Sequence, residues 1–410
     1  MPRQLKNNYA SGPDYGPDYG FRAQFGKTGR PFLSLRYFSN MRFLIVDADY
    51  ASFLNWLYAQ NPGLEHKSYE EQMQVRMESL FACGLSYANN LRKLGYEAHQ
   101  IFFNNEPLQT AWAREHGLKI NTHWQFRLRR GLVPWLSRAK DQNWLYDILT
   151  AQIEYYKPDV VLNNYIPLSS AYFRQMKPRF RLLVGSHGSP LPKDRDFGVY
   201  DLMLSVVENF VDFFRKEGVN SELLRLGFEP LVLERLNGTK PSIPISFIGQ
   251  LSRAHASRQD WLEYLCHRFP VEVWTPFTND LPKDSAVIHC HRGGAWGIEM
   301  YKVLHRSLIT LNHHIDVAGN YAGNGRLFEA TGTGTLLITD WKTNLHKMFE
   351  PGKEVVAYRS AEECAEMVQY YLEHDQERDA IARDGQQRTL REHTYYQRMQ
   401  ELEAIVRKYL

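Results

Sequence analysis

The sequence predicts an α/β chain made of two doubly wound, Rossmann-like domains facing one another across a cleft. Three observations lead there. Short apolar runs of the kind that fill buried parallel strands alternate with long amphipathic stretches. That alternation stops once, at a polar, turn-rich break, and then restarts. The chain of 410 residues, 43% hydrophobic and 13% aromatic, is long and apolar enough for two packed cores, which excludes global disorder and low complexity.

Residues 1–40 stand apart, with Gly-Pro-Asp-Tyr repeated at Gly12–Tyr15 and Gly16–Tyr19. So little apolar surface does not offset ordering entropy, so the segment reads as a loose tail. An adhesive or partner-binding arm, or a true start at Met41, are the alternatives. The first domain is expected over 41–236. Phe43-Leu44-Ile45-Val46 is its first strand, ending at Asp47-Ala48-Asp49-Tyr50. One helix is expected over 68–94, its apolar stripe running through Met73, Met77, Leu80, Phe81, Leu85, Leu91 and Leu94 to a stop at Gly95. Further strands fall near 98–103, 160–162, 181–185, 201–205 and 222–226. Helices long enough to cross over imply parallel pairing with right-handed connections.

Asn237-Gly238-Thr239-Lys240-Pro241 marks the break, and a linker is placed at 237–243. The second domain, 244–392, should hold strands at 245–249, 271–274, 286–288, 308–312, 335–339 and 355–358. Its helices are expected over 256–267, 297–306, 325–331, 360–374 and 376–389. A last segment, 393–410, presents Met399, Leu402, Ile405, Val406 and Tyr409 on one helical face that must pack on something.

The net charge is +3, of which the first 40 residues supply +4, so the body is near neutral. Sequence-independent nucleic-acid binding needs clustered cations and is set aside. Cys83, Cys266, Cys290 and Cys364 are scattered without a Cys-x-x-Cys pair, which reads as reduced thiols. No apolar stretch suits a transmembrane helix or signal peptide, so a cytoplasmic protein is expected, with peripheral membrane contact left open.

Ligands of open parallel sheets bind at the carboxyl ends of the strands, which makes the cleft the place to look. The most informative run there is Gly323-Asn324-Gly325-Arg326-Leu327-Phe328-Glu329-Ala330-Thr331-Gly332. Asn324 is a good helix N-cap, and the amides of Gly325, Arg326 and Leu327 would face an anion such as a diphosphate. Arg326 can add a charge-assisted bond, and Glu329 can accept from two ribose hydroxyls. By spacing alone, an ordinary capped surface helix is an equal reading.

Asn324 through Asp340, with Gly352-Lys353-Glu354, resembles the nucleotide-sugar site of two-domain GT-B glycosyltransferases. Trp296-Gly297-Ile298-Glu299-Met300-Tyr301 through Leu311-Asn312, and His393-Thr394 with Arg398, resemble the CgeB-like spore-maturation, family 1-like group of these enzymes. The resemblance covers residues 41–410. It implies a C-terminal domain that holds a nucleotide diphosphate sugar as co-substrate, an N-terminal domain that holds the acceptor, and a final helix that crosses back. By position, Glu329 matches the ribose-holding acid, Gly325 and Arg326 the diphosphate turn, and Gly249 the phosphate-facing glycine. Arg253 or Arg258 matches the cation that steadies the leaving diphosphate. The acid that many relatives carry eight residues before this glutamate is Tyr321 here.

Glycosyl transfer needs a group that takes the acceptor's proton and groups that stabilise the leaving diphosphate. His187, in the small-residue loop Gly185–Ser189, is a candidate base, a capping or solvated histidine being the alternative. Asp47 and Asp49 are its rivals. Asn104-Asn105-Glu106 reads as an acceptor patch or a helix cap, and Trp56, Trp112, Trp135 and Trp144 as sugar-stacking or core residues. The His313-His314 pair lacks a third ligand at metal spacing, so no metal site is expected. The function expected is transfer of a sugar, without a metal, to an unidentified hydroxyl acceptor such as a cell- or spore-surface glycan. The rivals are a nucleotide-sugar 2-epimerase on the same fold and a catalytically silent surface-layer protein.

Overall fold

The structure is a computed structural model that describes residues 41–410 apart from 82–83, 121–123, 130–134, 141–142, 193–194, 237, 239–240, 252–255, 277 and 279–280. The expected tail and part of the expected linker lie outside the described residues.

The apolar runs of the first half form β1 (Arg42–Asp47) and β2 (Glu97–Phe102). An antiparallel hairpin follows, β3 (Trp124–Arg129) and β4 (Trp135–Lys140), which joins neither main sheet. Then come β5 (Val160–Asn163), β6 (Leu182–Ser186), β7 (Leu202–Ser205) and β8 (Ser221–Leu223). They make a parallel sheet in the order β2-β1-β5-β6-β7-β8. The second half supplies β9 (Ile243–Ile248), β10 (Val271–Trp274), β11 (Ser307–Asn312), β12 (Leu336–Asp340) and β13 (Val356–Tyr358). Their parallel order is β10-β9-β11-β12-β13. Strand order reverses between β1 and β5 and again between β9 and β11. Those two crevices are where ligands of such sheets sit.

Two expectations fail locally. The run at 286–288 is not a strand but the start of a helix, Ala286–Cys290. Ser285 caps it by accepting from the Val287 amide at 3.2 Å, and the Glu263 carboxylate takes the Ala286 amide at 2.6 Å. A short apolar run does not distinguish strand from buried helix, and the capping groups decide. The helix expected over 68–94 is two, Tyr69–Glu78 and Gly84–Lys93. Between them Leu80 has a left-handed φ of 55°, and its side chain is buried among Tyr301, Phe328 and Leu337 of the second domain. The Ser79 carbonyl, released from the helix, accepts from the Ile298 amide at 2.8 Å. A contact between the domains therefore overrides helical continuity.

That contact dictates a glycine. Gly297 has φ 54°, and a Cβ there would collide with the Ser79 carbonyl oxygen. Gly297→Ala should lower stability by about 3 kcal/mol, measured by urea unfolding, through combined backbone strain and clash.

The C-terminal helix, Tyr395–Arg407, starts with a capping box from Thr394 and Gln397. Its Tyr395, Met399, Leu402 and Val406 are buried with Phe43, Tyr87, Leu91 and Leu204, so it completes the core of the first domain. His393 sits at the crossing, between Phe328 and Phe349, with Nε2 at 2.8 Å from the Met348 carbonyl. Arg398 donates to His393 Nδ1 at 2.7 Å and to the Leu226 carbonyl at 3.1 Å. The imidazole thus has an acceptor nitrogen toward the arginine and a donor nitrogen toward the carbonyl, its neutral form. Burial, with Arg398 close by, pushes its pKa down to about 4.

A histidine held below its unfolded value contributes stability that is full above the unfolded pKa, and the contribution is lost as pH falls toward the folded pKa. Between pH 7 and pH 5 the wild type should lose about 2 kcal/mol from this group. The check is the difference in unfolding free energy between wild type and His393→Gln across that range. The difference should shrink on acidification.

Candidate active site

The carboxyl ends of β1, β6 and β7 surround a cavity of about 350 Å³ lined by Asp47, Asp49, Tyr50, Arg76, His187 and Ser189. The three residues named as candidate bases thus meet in one place, with different surroundings. Asp49 is buried and grips Arg76 through both carboxylate oxygens, Nε lying 2.9 and 3.1 Å from them and Nη2 at 2.6 Å from one. Arg76 also lies over the Phe102 and Phe53 rings, 4.1 and 4.8 Å from their centroids. Asn104 fixes the Asp49 backbone from both sides, accepting from its amide at 2.8 Å and donating to its carbonyl at 2.7 Å. Asn105 caps the helix Glu106–Glu115 and accepts from Tyr58 Oη at 2.7 Å. Asn104 and Asn105 therefore hold the scaffold.

Asp47 also lines the cavity and accepts from Gln100 Nε2, and among the described residues it makes no ion pair. Burial, the largest effect, lifts its pKa to about 6 against a lowering hydrogen bond from Asn164. His187 is half-buried, its Nε2 3.3 Å from the Pro190 carbonyl, and burial lowers its pKa. Near neutral pH the cavity holds an ionised carboxylate poised close to the working range beside a neutral imidazole.

On the other wall, Gly325 takes the N-cap position of the helix Arg326–Gly332 with no side-chain cap. The expected cap, Asn324, instead bonds Asn312 at the end of β11, donating to its Oδ1 at 2.7 Å, which ties the turn to the strand. Arg326 pairs with Glu329 at 3.0 Å and donates to the Ile248 carbonyl at the end of β9 at 3.2 Å. Its Nε is buried with no hydrogen-bond partner among the described residues. Leu327 is fully buried, so only its backbone can reach a ligand. The Gly249 amide is committed to the Trp274 carbonyl at 3.1 Å. Arg258 is buried and spans the second crevice, donating to the Gln250 carbonyl at 2.8 Å and to the His313 carbonyl at 2.5 and 3.1 Å. Burial pushes its pKa down to about 10. Arg253 lies outside the described residues.

The two walls touch. A Cβ on Gly323 would collide with the Val206 carbonyl, and Gly325 lies against Leu226; Val206 and Leu226 both line the Asp47 cavity. Tyr321 packs on the core of the first domain. Of the tryptophans named as stacking candidates, Trp112 and Trp144 are core residues, and Trp56 lines a separate cavity with Trp274. The Trp135 side chain lies outside what is described.

Sequence reasoning passed over Arg76 and the partner of His314. Arg76 was visible as a basic residue on the apolar stripe that includes Met73 and Leu80. His314 Nδ1 lies 2.6 Å from Asp340 Oδ1, and Lys342 is 3.1 Å from the same carboxylate. Although burial opposes it, these partners hold Asp340 below the usual carboxylate range.

Asp49→Asn should leave Arg76 buried without a counter-charge and lower stability by about 3–5 kcal/mol. Asp47→Asn should leave the melting temperature unchanged or raised at pH 7, because the native state there holds an ionised carboxylate at a cost. Differential scanning fluorimetry on the pair separates the two acids.

Residues 251–404 match the sequence model of a family described as glycosyl transferase-like. No curated protein sequence matches the chain. Among solved structures, a glycosyltransferase from Rickettsia africae superposes with a TM-score of 0.54 at 12% identity, over 90% of this chain and 98% of that one. HepE from Anabaena, in complex with UDP-glucose, gives 0.53 at 12% identity over 90% and 100%. Sucrose-phosphate synthase from Thermosynechococcus elongatus gives 0.51 at 11% identity over 90% and 98%. The chain thus has the two-domain GT-B fold, with a glycosyl transferase-like region over residues 251–404.

Proposed function

We propose that the protein is a glycosyltransferase that moves a sugar from a nucleotide diphosphate sugar to an acceptor hydroxyl, using protein cations in place of a metal. The observation that carries this reading is Arg326. Its guanidinium is buried at the second crevice with an unpartnered Nε, beside a partly exposed Glu329, and the turn that holds it abuts the cavity containing Asp47. A buried donor without a partner favours an anion, and a diphosphate supplies one.

In this reading the diphosphate lies against Arg326 and the Gly325 turn, and Glu329 turns from Arg326 to the ribose hydroxyls. The acceptor occupies the Asp47 cavity. Asp47 takes the proton of the acceptor hydroxyl as its oxygen bonds the anomeric carbon. The bond from that carbon to the diphosphate breaks, and the departing charge is stabilised by Arg326, with Arg258 a second cation behind the strand ends. His187, neutral, orients the acceptor. HepE is in complex with UDP-glucose, which supports testing uridine donors first. The CgeB-like resemblance supports a surface glycan or its precursor as acceptor and a cytoplasmic site of action.

A ligand that binds only the native state raises the melting temperature. One of UDP, GDP, dTDP and ADP should do so for the wild type and not for Glu329→Ala. A flat response to all four overturns the donor site. With a donor and acceptor in hand, kcat/KM should fall about tenfold per pH unit below roughly pH 6, because protonation removes the base. Asp47→Asn should lose about a hundredfold or more in kcat and the acid limb with it.

A further inference from the structure

We propose that a second cavity, at the junction of the two domains, is a binding site for an acidic saccharide, a sugar that carries a carboxylate or a phosphate. The cavity, of about 580 Å³, takes Trp56 from the first domain and Trp274, the last residue of β10, from the second. Arg235, which ends the helix Leu231–Arg235, lines it where the chain leaves the first domain. Small-molecule sites of this size, with aromatic walls and a few polar groups, favour domain interfaces.

The helix Ile298–Arg306 supplies the remaining charge. Glu299, Lys302, Val303 and Arg306 stand three and four apart, so they share one face, and all four line the cavity. Met300, on another face, has its sulfur 3.4 Å from Arg326. The helix thus turns one side to this cavity and another to the Gly325 turn, and none of the residues that line the Asp47 cavity lines this one.

Lys302 is paired with Glu299 at 2.8 Å, whereas Arg235 and Arg306 make no ion pair among the described residues. Arg306 donates through Nε and Nη2 to the Ser242 hydroxyl at 3.0 and 2.9 Å, a partner without charge. Three cations and one carboxylate leave the lining at a net +2. That balance selects the ligand. An inorganic anion would meet the arginines and leave two indoles without a role, and a neutral sugar would do the reverse. A nucleoside diphosphate brings a third negative charge against two uncommitted guanidiniums, with Glu299 on the same wall. A sugar with one acidic group lays its ring on an indole and offers hydroxyls to the Glu299–Lys302 pair. Its acid goes to the arginines, whose fork suits carboxylate and phosphate alike. This inference does not rest on the donor reading.

The test is isothermal titration of the full chain with glucuronate, glucose 6-phosphate, glucose and inorganic phosphate. At least one acidic sugar should bind with a Kd on the order of 1 mM or tighter, and glucose and inorganic phosphate about tenfold or more weakly. The tighter of the two acidic sugars names the acid. Arg235→Gln combined with Arg306→Gln should weaken it about tenfold or more, and so should Trp56→Ala. Arg235 is exposed, so Arg235→Gln alone serves where a variant lowers the melting temperature. Glu329→Ala, which removes the nucleotide response in the donor reading, should leave acidic-sugar binding unchanged, and this tells failure of one site from failure of the other. The proposal is overturned if neither acidic sugar binds, or if glucose or inorganic phosphate binds as tightly. It is also overturned if UMP binds Glu329→Ala more tightly than the acidic sugars do, or if the arginine variants or Trp56→Ala bind as the wild type does.

Discussion

Two carbonyl groups set the relation between the halves of this molecule: that of Ser79 against Gly297, and that of Val206 against Gly323. Each is a backbone oxygen of the first domain seated where the second domain has no side chain. A side chain in either place would push the walls of the cleft apart by about the width of a methyl group. The first contact breaks a helix and forces Leu80 into a left-handed conformation. The second brings the Gly325 turn within reach of the cavity that holds Asp47. Those approaches bring the Asp47 cavity and the Arg326 turn together, one from each wall.

The charges of the cleft fall into two kinds. Asp49 with Arg76 and Asp340 with His314 and Lys342 are paired, and Arg258 has its donors on carbonyls. These groups fix loops at the strand ends, and losing one partner leaves the other charge buried without compensation. Asp47 and Arg326 differ: both are half-buried, Asp47 accepts only neutral donors, and Arg326 keeps a buried Nε without a hydrogen-bond partner among the described residues. In the glycosyl-transfer reading proposed above, the carboxylate on one wall would take a proton and the unpartnered donor on the other would meet the leaving anion.

Much of the fold was legible because buried parallel strands announce themselves. Phe43–Val46, Val160–Leu162 and Leu336–Ile338 are apolar runs that pattern alone assigns, and their alternation with helices implies parallel order. The failures have local physical causes. At 286–288 capping groups from Ser285 and Glu263 turned an ambiguous run into a helix. At 79–81 a contact with residues more than 200 positions away broke a periodicity that the sequence carries straight through. Asn324 has the chemistry of a cap, but Asn312, twelve residues earlier at the end of β11, offers a carboxamide that accepts from it and donates to it, and wins it. The candidate bases were placed by strand ends and do converge, yet only geometry separates Asp49, committed to Arg76, from Asp47. That distinction rests on an arginine whose partner no local pattern reveals.

The return of the last helix to the first domain has a consequence for how the chain is made. Tyr395, Met399, Leu402 and Val406 are part of the core that covers one face of the first sheet. During synthesis that face, with Tyr87 and Leu91, lacks this part of its cover until residues 395–406 have been made, after the whole of the second domain. The second domain, contiguous in sequence, is complete earlier. The first domain's core therefore closes only after the second domain has been made, so its apolar face stays open while residues 244–392 are synthesised, and the chain's dependence on chaperones should concentrate there.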